Sequence, residues 1–224
     1  MASYRRIEDL PQVIPVFPLD GALLLPGGEL PLQIFEPRYL NMIDDAMAGD
    51  RIVGMIQTRG GERLRPVLAA VGCAGRITSF NETSDGRYLI TLTGVCRFDA
   101  GEELNLRTPY RQLRARYDRY DRDLGGRDEE TETSDQVRSR FAQALKRYLN
   151  RRELDIDWDT AIQAPLEPLV NSLAMGLPFD PAEKQALLEA ATPAERAHAL
   201  LALLRMGAHT QSAGEPDGQG SLVS

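Results

Sequence analysis

The chain has 224 residues, 42% hydrophobic and 26% charged, a balance that suits a globular fold of one larger domain or two small ones. Its net charge of −7 has the wrong sign for a general nucleic-acid binder, whose footprint is basic. No apolar run approaches the roughly 20 residues that cross a bilayer, MASYRRIEDLPQ lacks a signal-peptide core, and Cys73 and Cys96 alone cannot make a disulfide framework; the expectation is a cytoplasmic protein with no membrane partner.

The first half reads as strands separated by turn signals. QVIPVFPL has strand character, and Pro15 and Pro18 suggest a poorly paired edge. LLLPGGELP contains a Pro-Gly-Gly turn. In LPLQIF, Leu30, Leu32 and Ile34 fall on one face, the period of two that marks a half-buried strand. That strand runs into Glu36-Pro37-Arg38-Tyr39. Pro37 suits the first position of a helix, where its missing N–H costs nothing. Tyr39, Met42, Ile43, Ala46 and Met47 then follow at helical spacing up to Gly49, which suits a helix end.

RIVGMIQT is the next strand, followed by a Gly-Gly turn. VGCAGRITSFNE and RYLITLTGVCRF flank TSDG, a hairpin signal centred on Asp85-Gly86. That hairpin sets Cys73 nearly opposite Cys96, either as two core hydrophobes or as a cross-strand redox pair. PYRQLRARYDRY reads as the last strand. Its Arg/Tyr interleaving could stack on single-stranded nucleic acid, but Asp118, Asp121 and Asp123 would repel phosphate.

DLGGRDEETETSD is acidic and apolar-poor, the composition of a linker. Helix signals follow. Thr133 and Gln136 have capping-box spacing ahead of a stripe of Val137, Phe141, Ala144, Leu145, Tyr148 and Leu149. A short turn is expected at Trp158–Ile162, and Leu166, Leu169, Val170 and Leu173 make another stripe. Asp180-Pro181-Ala182-Glu183 and Thr192-Pro193-Ala194-Glu195 each align a cap, a proline and a glutamate. Strands followed by helices give an α+β class. The predicted division is a β domain over 1–122, a linker over 123–133, a helical domain over 134–207 and a disordered tail over 208–224.

Chemistry is sparse. There is no Walker loop, dinucleotide-binding glycine motif or G-x-S-x-G elbow. His198 and His209 are the only histidines and have no metal-ligand spacing; neither a metal nor a cofactor is expected. A Ser–Lys dyad could use only Lys146 or Lys184, and both are expected on solvated helix faces, where an ammonium keeps its proton. Asp44-Asp45 and Glu129-Glu130 read as solvated surface. Glu36 and Arg38 remain. Two apart at a strand–helix junction, they need not pair, and Arg76 and Arg97 are alternative partners for Glu36. We expect Glu36, Pro37, Arg38, Tyr39 and Arg97 to be structural, and no catalytic residue.

VIPVFPLDGALLLPGGELPLQIFEPRYLNMIDDAM resembles the opening motif of the Lon protease N-terminal substrate-binding domain: a P-L pair, a P-G turn, then an apolar strand ending in E-x-R-Y before a helix. VGCAGRI, DGRYLITLTGVCRF and PFDPAEKQALLEAATPAERAHALLALL are similar to later segments of the same family, so the resemblance spans most of residues 10–206. It implies a PUA-like β pseudo-barrel with one helix followed by a helical domain, in a region that engages unfolded or tagged proteins. The ATPase and Ser–Lys protease modules are absent from these 224 residues, as in stand-alone Lon-domain proteins. The expectation is a non-enzymatic module for unfolded or extended polypeptide, with Leu23, Leu24, Leu25 and Phe35 as its apolar contact surface. An RNA-binding adaptor using Arg107, Arg111, Arg114 and Arg116 is the first alternative, and a small hydrolase the second.

Overall fold

The computed structural model describes residues 4–62, 65–125, 135–152 and 164–207. Six strands form one sheet: β1 (Val13–Pro18), β2 (Glu29–Ile34), β3 (Ile52–Glu62), β4 (Arg65–Glu82), β5 (Tyr88–Leu104) and β6 (Gln112–Arg116). Helix α1 (Pro37–Ala48) lies between β2 and β3. After β6 come α2 (Asp135–Arg152), α3 (Leu166–Gly176), α4 (Pro181–Glu189) and α5 (Pro193–Gly207). The sheet order is β2-β5-β4-β3-β1-β6, and a further β5–β6 pairing brings the sheet round nearly into a ring. This is the expected α+β architecture, a β ring with one helix followed by helices that pack together.

The ring is long-range. β1 pairs in parallel with β3 through Val16↔Gly54 to Pro18↔Ile56, and antiparallel with β6 through Val13↔Arg114 to Pro15↔Gln112. The two prolines of β1 therefore do not mark a sheet edge; β1 is paired on both sides. Among the described residues β2 is the edge, bonded only to β5 from Glu29↔Thr93 to Ile34↔Tyr88. Close contact inside the ring depends on missing side chains. A Cβ on Gly72 would come within 2.5 Å of the Phe98 ring, and one on Gly54 within 3.0 Å, so these two glycines make room for a fully buried phenylalanine.

Local signals are mostly as read from the sequence. The β4–β5 hairpin turns at Gly86, φ 78°, with Thr83 and Arg87 closing it. Gly60 and Gly61 have positive φ but belong to β3, where the register with β4 shifts. Gly49 ends α1 without a left-handed conformation; Arg51 takes it instead, φ 60°, and its N–H bonds the Ala46 carbonyl. Glu183 accepts from the Asp180 N–H in a capping box, and Thr192 accepts from the Glu195 N–H. The α2 stripe of Phe141, Ala144, Leu145, Tyr148 and Leu149 is buried, and one connected core runs from the ring into the helices. The expected Thr133 cap and the Trp158–Ile162 turn lie outside the described residues, as does His209.

The cysteines occupy consecutive register rows. Cys73 pairs with Arg97 and Ala74 with Cys96, so their side chains leave the hairpin on opposite faces. Both thiols are free and buried, the core-hydrophobe alternative.

Candidate functional site

At the junction after β2, Glu36 precedes α1 and its carbonyl accepts from Tyr39 and Leu40. Its carboxylate does not cap the helix. It accepts from Arg38 Nε at 2.9 Å, and the same guanidinium lies 4.5 Å from the Tyr39 ring centroid. Tyr39 is buried against Phe17 at 4.3 Å. The direct Glu36–Arg38 pair therefore exists, but its side chains are 45% and 42% exposed. It is a surface ion pair clamped over a buried tyrosine, not a buried charge network.

Arg97 has another partner altogether. Only 3% exposed, it forms a two-pronged bond to Asp123, at 2.9 and 2.8 Å, and also donates to the carbonyls of Leu188, Ala190 and Ala191. Asp123 sits in a 3-10 turn just past β6, so the Arg97 guanidinium ties together the ring, the segment leaving the ring and the end of α4. Burial works against its charge, but Asp123 outweighs that and the Arg97 pKa stands above its ordinary value. Nearby Arg196 bonds no carboxylate among the described residues; it donates to Leu187 O and Asn171 Oδ1. Burial, helped by the like charge of Arg97, pulls its pKa down to about 10.

The seam between ring and helices continues with polar bonds. Gln57 on β3 donates to Pro181 O and to Gln185 Oε1, and Gln185 donates to Val71 O on β4. Lys184 is 7% exposed rather than on a solvated face. Its ammonium donates to Gly21 O at 2.7 Å and Met175 O at 3.3 Å, and burial lowers its pKa. A depressed lysine pKa is what a Ser–Lys dyad needs, but the bonded partners among the described residues are two backbone carbonyls and no hydroxyl. Lys146 and His198 are exposed. Among the described residues no group of three His, Cys, Asp or Glu could hold a metal ion, and no helix is long and apolar enough to cross a membrane.

Of the apolar contact surface expected from the sequence, Leu23, Leu24 and Leu25 are core residues, at most 2% exposed. Their segment is tied to β5, where Gly94 bonds Gly27 and Gly28. Phe35 alone is surface, 63% exposed. It follows directly on the edge strand. Gly94 N bonds Gly28 O, so by alternation Leu30, Leu32 and Ile34 bond β5, while the backbone groups of Glu29, Pro31 and Gln33 point away from it. Pro31 thus falls where no donor is used. Leu89, opposite Gln33, is 42% exposed. The one sequence signal that could have found this edge was Pro31 itself.

The arginines of the RNA alternative do not converge freely. Arg111 is committed to Glu103 by a two-pronged bond and to Pro66 O. Arg114 and Arg116 are exposed on alternate positions of β6, with Asp99 opposite Arg116.

The chain thus combines a β ring that has β2 at its edge with a helical segment bonded across its side. The family model for the ATP-dependent protease La (LON) substrate-binding domain matches residues 13–206, and the chain belongs to that family. The Lon N-terminal domain protein of Xanthomonas campestris has a similar fold, with TM-score 0.59 and 24% identity over 85% of this chain and 97% of that one. The N-terminal domain of the Mycobacterium avium complex Lon protease superposes with TM-score 0.58 at 18% identity, covering 87% of this chain and 98% of that one. Lon protease 2 of Myxococcus xanthus is 33% identical over 114 residues, and the Lon protease of Anaeromyxobacter dehalogenans 30% over 110. These alignments take in 50% and 48% of this chain but only 13% of either relative.

Proposed function

We propose that this protein is a non-catalytic module that binds unfolded or extended polypeptide by adding it as a strand to the open edge of β2. The observation that carries the reading is that edge: β2 is bonded on one side only, its outward backbone groups at Glu29, Pro31 and Gln33 meet no strand among the described residues, and Phe35 and Leu89 are exposed beside it. Main-chain bonds to an added strand give affinity with little sequence preference, and alternate side chains find the apolar contacts. Membership of a substrate-binding family supports the same assignment.

Such a site binds at roughly micromolar affinity, because ordering a flexible chain consumes much of the gross interaction energy. The test titrates one unfolded protein and one structured RNA at low and moderate salt. Expected is binding of the unfolded protein that changes little with salt and weakens in Gln33→Pro, which deletes an outward donor, and in Phe35→Asp. Steeply salt-dependent RNA binding without affinity for the unfolded chain refutes the reading and favours the adaptor.

A further inference from the structure

One aromatic pair reaches the surface at the far end of the β4–β5 hairpin. Phe80 on β4 and Tyr88 on β5 stack edge to face, centroids 4.9 Å apart at 63°. Phe80 is 40% exposed. Glu82 stands opposite Tyr88 in the ladder, on the same face as Phe80 two residues before it. From the other side, Asp44 on α1 accepts from the Tyr88 hydroxyl at 3.0 Å. Two rings are thus flanked by two exposed carboxylates.

Elsewhere this chain fills such places itself. Arg38, Arg76, Arg97, Arg119 and Arg152 lie over the rings of Tyr39, Tyr4, Tyr120 and Tyr148. Among the described residues no arginine lies over Phe80 or Tyr88, and neither Asp44 nor Glu82 has an ion-pair partner. The nearest basic residue in sequence, Arg87, is turned away to Asp85 at 3.0 Å. The hydrogen bond to Asp44 raises the Tyr88 pKa, with burial and the negative charges of Asp44 and Glu82 adding to it.

We propose that this patch takes a lysine or arginine side chain of a bound polypeptide, so that the module prefers extended segments in which basic residues interrupt apolar ones. The ring faces attract a cation, the carboxylates complete its coordination, and the net charge of −7 favours approach of a basic chain. Tyr88 pairs with Ile34, the last residue of β2, so the patch begins one strand in from the open edge. The inference rests on the polypeptide-binding reading and narrows its substrate class.

The experiment compares two labelled unstructured peptides of alternating apolar and polar residues, identical except that lysines in one are glutamines in the other. Binding is read by fluorescence anisotropy on the full chain. Wild type should bind the lysine peptide about three- to tenfold more tightly. Phe80→Ala and Glu82→Gln, both exposed substitutions whose folding is checked by thermal melts, should erase that preference while leaving the glutamine peptide's affinity unchanged. Gln33→Pro should weaken both peptides together. Equal affinity of wild type for the two peptides overturns this inference and leaves the polypeptide reading intact. A preference that survives in both Phe80→Ala and Glu82→Gln overturns the assignment to this patch. Binding of neither peptide overturns both.

Discussion

Arg97→Ala removes the guanidinium that closes the seam between ring and helices. It leaves the Asp123 carboxylate, 8% exposed, without its two-pronged partner, and the carbonyls of Leu188, Ala190 and Ala191 without a donor. Breaking a buried pair from one side costs about 3–5 kcal/mol, because the remaining charge is stranded away from water. Folded domains have only about 5–15 kcal/mol in total, so the variant should be marginal. Urea denaturation followed by far-UV circular dichroism measures it. A cycle with Asp123→Ala isolates the pair: each single variant should lose several kcal/mol, and the double should lose less than their sum by at least about 1.5 kcal/mol. Arg97→Ala within about 1 kcal/mol of wild type, the range of an exposed ion pair, or strict additivity in the cycle, would refute the claim that this guanidinium holds the seam.

Glu36→Ala or Arg38→Ala should cost less than about 1 kcal/mol, because the pair is almost half exposed; a loss above about 2 kcal/mol by the same assay would show that the clamp over Tyr39 matters more than its exposure implies. Gly94→Ala should destabilise by about 1–3 kcal/mol and weaken polypeptide binding, since its Cβ would collide with the Leu25 carbonyl beside the bonds that anchor β2; wild-type melting and binding would contradict it. Burial raises the pKa of both thiols, whereas in the unfolded chain they ionise near 9.0. Their contribution is complete below that pH and is lost as pH rises through it, by up to about 1.4 kcal/mol per pH unit for each thiol. The denaturation midpoint should therefore fall more between pH of about 8 and about 10 in wild type than in Cys73→Ala/Cys96→Ala, and equal slopes would reject the assignment. Finally, purified protein should not cleave casein with or without ATP; turnover abolished by Lys184→Met would make that buried lysine a catalytic group.

The elements were legible because their signals are local. The caps at Asp180 and Thr192, the turn at Gly86, the period of two through Leu30, Leu32 and Ile34 and the helix start at Pro37 each depend on a few neighbouring residues, and each appears where the sequence put it. The site was less legible. Leu23, Leu24 and Leu25 look the same in a sequence whether they face water or a core, and the structure buries them. Lys184 looked solvated because its helix carries many charges, yet Gly21 and Met175, which bond it, lie 163 and 9 residues away in the chain.

What the sequence determined by itself was the α+β order of elements and, through its spaced motifs, the family. Which strand lies at the edge was decided by tertiary structure. The two prolines of β1 argued for an edge there, but pairing with residues 54–56 on one side and 112–114 on the other encloses that strand, and β2 is left open instead. Arg97 shows the same division: its need for a carboxylate follows from burying a charge, but the choice of Asp123 over Glu36 follows from where the chain passes after β6. Local propensity is set by short-range sterics and hydrogen bonding, whereas pairing and burial depend on segments tens of residues apart meeting in space, and no short stretch of this sequence records that meeting.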